Sequence, residues 1–266
     1  MKRAAGIVIT VLGLLPLVSI LLWTFVSRWP LTESLPVLSV KAWHILDADD
    51  FYALLRAASY SALVAFVSCA LAVAVSRSLL NLGLGTATLF EAFFCFPALL
   101  PVLSVVLGTH QFSLRVLGGS LTVPMFLLYT FFSFPYAFRL IYPPYRAGIN
   151  PVREIAFTLG ADSLQTFFFV EFPLLVPFLG TAFVFSYSVA YGQYLIEAFF
   201  LADTSKVFSV PMAETLTGAN RSASAVFTLY YTLFGIVALG LPPAIDRIRE
   251  NEKRKKRKAG NPEERV

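Results

Sequence analysis

A chain of 266 residues that is 57% apolar, only 14% charged and of mean hydropathy +0.72 is too apolar for a water-soluble domain of its size. The formal net charge of +5 is concentrated in a carboxyl-terminal basic run, and that run directly follows an apolar segment, which favours a lipid-facing anchor over nucleic-acid binding. The two cysteines, Cys69 and Cys95, both fall in apolar segments and exclude a disulfide framework, while His44 and His110 have no Cys, Asp or Glu at ligand spacing, so no metal site is expected.

Charge-free or nearly charge-free runs recur at about 4–27, 57–76, 90–109, 116–141, 172–198 and 222–245. Most approach the roughly 20 residues that a helix needs to cross about 30 Å of hydrocarbon, and only helices or closed barrels satisfy their backbone groups there. An all-α membrane protein with six transmembrane helices follows. Lys2 and Arg3 precede the first run as in a secretory signal, but the run exceeds a signal core and no small-x-small cleavage site follows, so it is expected to stay as the first helix. The bias of Lys and Arg puts Arg77, Arg139, Arg146, Arg153 and the basic tail on one side with both termini, the cytoplasmic side by the positive-inside rule.

Residues 28–56 form a long, somewhat acidic external loop with Glu33, Asp47, Asp49 and Asp50, suited to docking or to simple solvation. Prolines interrupt the third span (Pro97, Pro101), the fourth (Pro124, Pro135) and the fifth (Pro177), where neighbouring helices can satisfy the freed carbonyls. A third external loop, from Glu197 to Arg221, is long enough to hold a re-entrant or surface helix around Val210 to Leu216. Residues 1–245 are expected to form the membrane domain and 246–266 a basic tail.

Between spans four and five lies a charged stretch at 150–172, expected as two short amphipathic helices. Asn150 is a candidate N-cap with Pro151 in the first helical position, and Val152, Ile155, Ala156 and Leu159 form an apolar stripe. Gly160 is suited to the left-handed C-terminal position, and Asp162 with Gln165 has the spacing of a capping box ahead of Leu164, Phe167 and Phe168. Pro173 opens the fifth span.

Glu154, Ile155 and Ala156, then Gly160, then Val170, Phe172 and Pro173 resemble in spacing the E-A-A-x3-G-x9-I-x-L-P signature of permease subunits of binding-protein-dependent ABC importers of the type I fold. Ile155, Val170 and Phe172 depart from it and stay apolar. The resemblance implies that 150–172 is a coupling hairpin docking on a cytoplasmic ATPase dimer, with Glu154, Ile155, Ala156, Leu159, Gly160, Ala161, Leu164 and Pro173 as its coupling positions. It also implies a second permease subunit, identical or related, and an external solute-binding protein in a bacterial inner membrane. The chain has no G-x4-G-K-[ST] loop, so ATP and Mg are expected on the partner, with no cofactor in this chain. Residues 190–201 resemble, more weakly, permeases of thiamine, polyamine and ferric-ion uptake.

Tyr187, Tyr191 and Tyr194 recur at helical spacing in the fifth span, with Gln193 and Glu197 on an adjacent face. Polar groups at membrane depth point toward protein or water, so this face is the candidate translocation pathway, with Glu197 near its external mouth; aromatic packing, with Glu197 reaching solvent, accounts for the same spacing. Two other classes are weighed. An intramembrane enzyme lacks its expected motifs here, such as H-E-x-x-H or G-x-S-x-G, and an ion-coupled secondary transporter would be expected to show repeated halves and midplane charges.

Overall fold

The computed structural model describes residues 2–28, 36–44, 48–116, 121–200 and 222–236. Helix dominates them. In chain order they form α1 (Lys2–Trp23), a two-stranded ribbon of β1 (Val26–Arg28) and β2 (Val37–Leu38), a 3-10 turn (Lys41–His44) and α2 (Ala48–Leu79). There follow α3 (Leu84–Cys95), a second 3-10 turn (Phe96–Leu99), α4 (Val102–Val116), α5 (Thr122–Pro144) and a π-turn (Tyr145–Ile149). The last elements are α6 (Asn150–Thr158), α7 (Ser163–Thr166), a second π-turn (Phe167–Glu171), α8 (Phe172–Tyr191), α9 (Tyr194–Phe200) and α10 (Ser222–Ile236).

The core is a bundle of α2, α5 and α8. Its closeness originates in α2, whose buried face is built of small side chains: Ala57, Ser61, Ala65, Ser68, Ala72 and Ser76. Small residues let helix backbones approach in a setting where lipid supplies no hydrophobic drive between helices. Opposite them stand large rings and branched chains, Phe138, Ile141, Tyr142 and Leu175 at one end and Tyr129, Phe132 and Met125 toward the other. Some hydroxyls inside this apolar packing bond back to their own helices, as Ser61 Oγ does to the Ala57 carbonyl (2.8 Å) and Ser113 Oγ to Thr109 (2.7 Å), while Ser186 Oγ of α8 donates across to the Ser133 carbonyl of α5 (3.3 Å).

Three helical stretches are long and apolar enough to cross a membrane: Ala48–Leu79, Thr122–Thr158 and Ser163–Tyr191. The expected third span, 90–109, is not one straight helix. Leu100, which precedes Pro101, is driven to an extended backbone (ψ 139°), and the chain bends by 89° between Gly85–Leu99 and Val102–Val116. The bent pair is a broken span or a re-entrant loop, and counting it as one span gives up to four. The first and sixth expected spans correspond to the shorter apolar helices Leu12–Trp23 and Ser222–Ile236. The start of the fourth span moves from 116 to Thr122, and 117–120, 237–245, the segment around Val210 to Leu216 and the basic tail lie outside the described residues.

The described residues between α1 and α2 pack against the bundle. β1 pairs antiparallel with β2 through Val26 with Leu38, and Trp43 packs between Phe25 and Tyr230 of α10. Farther along α10, Gly235 lies flat against the ring of Tyr191, which stacks on Tyr231 with ring centroids 4.1 Å apart. A Cβ at Gly235 would stand 2.9 Å from a Tyr191 ring carbon, whereas one at Gly180 in α8 meets nothing within 4 Å. Gly235→Ala is therefore expected to cost about 1–3 kcal/mol through overpacking, and Gly180→Ala to stabilise by about 0.5–1 kcal/mol through lost chain entropy. Thermal unfolding of the two variants in one detergent, followed by circular dichroism, checks the pair.

Candidate functional site

The expected hairpin is present, but its helices are not free-standing. α6 continues α5 through the first π-turn, and α7 runs into α8 through the second, so the hairpin is the shared extension of two core helices beyond the bundle. This corrects the expected cap at Asn150, where the backbone is already helical; its Nδ2 donates to Glu154 Oε1 instead (2.9 Å). Pro143, Pro144 and Pro151 each remove a backbone donor, and the wider π-turn between them accommodates the mismatch without ending the helix. Pro173 likewise follows a helix already under way rather than opening one.

Gly160 takes φ 87°, the left-handed conformation expected of it. The Gly160 N–H donates to the Phe157 carbonyl (3.0 Å) and that of Ala161 to Ala156 (3.1 Å), the paired bonds that close a helix C-terminus at a glycine. The next helix starts with the expected capping box: the Gln165 N–H donates to Asp162 Oδ1 (2.7 Å), and the Asp162 N–H to Gln165 Oε1 (3.3 Å). The turn therefore rests on local chemistry. Its apolar residues nevertheless face outward, with Ile155 59%, Leu159 83% and Leu164 66% exposed, beside an exposed Glu154 and half-buried Ala156 and Ala161.

Behind that exposed surface sits a buried charge that the spacing of the sequence does not single out. Glu171, the last residue of the second π-turn, has 0% exposure. Its Oε2 lies 3.1 Å from Arg77 Nε at the end of α2, and its Oε1 lies 3.4 Å from Arg153 Nε of α6. Tyr145, first in the other π-turn, donates its hydroxyl to Glu171 Oε2. Arg77 Nη2 also donates to the Ser163 carbonyl (2.9 Å) and hydroxyl (3.0 Å) at the start of α7, with its guanidinium 5.3 Å from the centre of the Phe167 ring. Arg153 reaches Asn150 Oδ1 (3.2 Å) and Asn81 Oδ1 (3.5 Å), and lies over Phe157. The one available signal was a lone carboxylate within the aromatic run Phe167 to Phe172.

At the far end of α8, the expected pathway residues separate into two groups. Tyr187 and Tyr191 are buried and stacked, 5.6 Å between ring centroids, and the Tyr191 hydroxyl donates to the Tyr231 carbonyl (3.1 Å). α8 then ends at Gly192 and Gln193, and Tyr194 opens the separate helix α9, which breaks the expected i+7 alignment with Tyr187. Gln193 is half-buried in that break. Glu197 does not reach solvent. It is 7% exposed and accepts a hydrogen bond from the Tyr129 hydroxyl (2.8 Å) beneath the edge of Tyr60. Tyr129, Tyr60 and Tyr231 thus belong to this cluster, drawn from α5, α2 and α10, and no helical spacing along one segment could have joined them.

A bundle of long apolar helices with a polar hairpin extending from one end defines a multi-pass helical membrane protein. No family model matches the chain. Over 64 residues the chain is 44% identical to a probable sulfate transport system permease protein (cysT) of Prototheca wickerhamii. That match covers 24% of this chain and 25% of the relative, so the two are similar over about a quarter of their lengths.

Two substitutions test the local chemistry. Gly160→Ala places a Cβ in the left-handed region and is expected to cost about 1–2 kcal/mol. Tyr129→Phe removes a donor from the buried Glu197 carboxylate and is expected to cost about 1–3 kcal/mol. Shifts in unfolding temperature against the native chain measure both, with Thr158→Ala, an exposed position, as the reference.

Proposed function

We propose that the chain is a permease subunit of an ATP-driven importer, with the hairpin 150–172 docking on a cytoplasmic ATPase dimer. The observation that supports this most is the exposed apolar face of Ile155, Leu159 and Leu164 on a hairpin held firmly to the bundle. Such a face lacks a partner within the described residues and has the amphipathic pattern that inserts into a groove. The motif spacing from Glu154 to Pro173 and the similarity to a sulfate system permease point the same way. In this reading ATP and Mg stay on the partner, a second permease subunit completes the pathway, and a binding protein delivers solute from outside a bacterial inner membrane. Six spans place both termini in the cytoplasm.

The pathway follows the α8 to α9 junction, with Tyr187 and Tyr191 in the end of α8, Gln193 in the break, and Tyr194 and Glu197 in α9. Thiamine, polyamine and ferric ion gain no support from the relative, whose name specifies sulfate. The solute is therefore tested without preference among them. A second reading, an ion-coupled carrier, is favoured by one observation: Glu197 is an ionisable group buried among tyrosines.

The test purifies the tagged full chain from its native membrane in mild detergent and identifies bound proteins by mass spectrometry. Leu159→Asp and the double variant Gly160→Pro, Glu154→Ala run alongside. A P-loop ATPase is expected with the native chain and reduced about tenfold or more in both variants, as for loss of a central apolar anchor. A native chain that retains no ATPase, or variants that retain it equally, would overturn the docking role. Uptake of labelled sulfate, thiamine, polyamine and ferric ion, driven by ATP or by a proton gradient, then separates the two readings.

A further inference from the structure

The hairpin joins the bundle through two π-turns, and wide π-turns are weak points in a helix that recur at functional sites. Left to themselves they would let residues 150–166 swing against the core. Yet each π-turn contributes one end of the same bond, since Tyr145 opens the first, Glu171 closes the second, and the hydroxyl of one donates to the carboxylate of the other. The two joints are tied at one point.

A third element completes the tie. The end of α2 and the turn after it hold both arms of the hairpin, α7 through Arg77 on Ser163 and α6 through Asn81 on Arg153. Both arginines converge on the one carboxylate. Removal of the carboxylate charge would therefore take away the one group that Arg77 and Arg153 share, leaving only the weaker contacts to Ser163 and Asn81, without altering the outward apolar face. Nothing in the docking surface itself requires this arrangement, because Ile155, Leu159 and Leu164 point away from it.

We propose that Glu171, clamped by Arg77 and Arg153, is a positioning residue that makes the hairpin move as one body with α2, α5 and α8, so that a push on the hairpin becomes motion of the bundle. This rests on the permease reading for the source of the push. The clamp itself is a property of this chain alone. A buried carboxylate that served only folding would stabilise the protein without governing how hairpin motion is passed on, and the two roles separate in measurement.

The test uses Glu171→Gln, which preserves volume and an oxygen for Tyr145 while removing the charge, with Glu171→Asp as the conservative variant and Arg77→Lys as a second route should Glu171→Gln not fold. In the first arm, hydrogen exchange is followed across 150–166 of the full chain in lipid nanodiscs. Exchange is expected to rise about tenfold in Glu171→Gln, less in Glu171→Asp and Arg77→Lys, while the rest of α8 stays protected. In the second arm, the transporter with its ATPase is reconstituted in vesicles and the solute moved per ATP hydrolysed is measured. Glu171→Gln is expected to retain its ATPase and hydrolyse within about twofold of native, but to move about tenfold less solute per ATP, with partial recovery in Glu171→Asp.

Unchanged exchange in the hairpin would overturn the clamp, as would a rise spread evenly over the bundle. Native solute per ATP in Glu171→Gln would overturn its role in transmission. A chain that binds no ATPase at all would remove the docking reading while the exchange arm still decided the clamp.

Discussion

The structure depends on one buried carboxylate. Glu171 has no exposed surface, and an isolated ion at such a site would be strongly disfavoured by desolvation. Two guanidinium groups and a tyrosine hydroxyl offset that cost, and they come from α2, α6 and the first π-turn. Satisfying a single side chain thus brings three segments, 77, 145–153 and 163–171, to one place. The hairpin's position follows from this requirement more than from its own apolar stripe, whose Ile155 and Leu159 stay exposed.

A second buried carboxylate, Glu197, lies just past the other end of α8, among Tyr129, Tyr60 and Tyr231. α8 has 20 residues, about 30 Å of helix, which is the thickness of a bilayer's hydrocarbon. The helix therefore carries no charge along its own length and a protein-satisfied carboxylate at each end. The two ends are built differently. At the hairpin the partners are arginines in ion pairs, which set position; at the far end the described donor is a neutral phenol, Tyr129, which Tyr60 meets edge to face.

What could be read from the sequence was what neighbouring residues decide among themselves. The left-handed Gly160 and the Asp162 and Gln165 box depend on contacts within a few positions, and both appear in the structure, while three of the apolar runs appear in helices long enough to cross a membrane. The 89° bend was readable only as a pair of prolines, because the angle depends on how Leu100 and the packing around it respond. The cap at Asn150 was misplaced for a related reason: local preference favoured a helix start, and the continuity of α5 through a π-turn overrode it. The Glu171 cluster stayed hidden because its members are up to 94 positions apart, though the charge bias had already placed Arg77 and Arg153 on one side of the membrane.

The outward surfaces of α8 and of the hairpin carry different information. The outer face of α8 is mostly hydrocarbon, Leu174, Val176, Phe178 and Phe185, and its exposed hydroxyls on Thr181 and Ser188 bond back to their own helix, which suits lipid. The hairpin instead interleaves exposed Ile155, Leu159 and Leu164 with exposed Glu154, Thr158, Asp162 and Gln165. Lipid tails would desolvate the Glu154 and Asp162 carboxylates, and water would leave the apolar side chains exposed. A protein groove with an apolar floor and a polar rim satisfies both sets at once. Its occupant must also be held still enough to present them together. A short hairpin on two π-turns would not hold that pose unaided, and the ion pairs behind it, made from inside the bundle, supply the rigidity that its own nine-residue α6 and four-residue α7 lack.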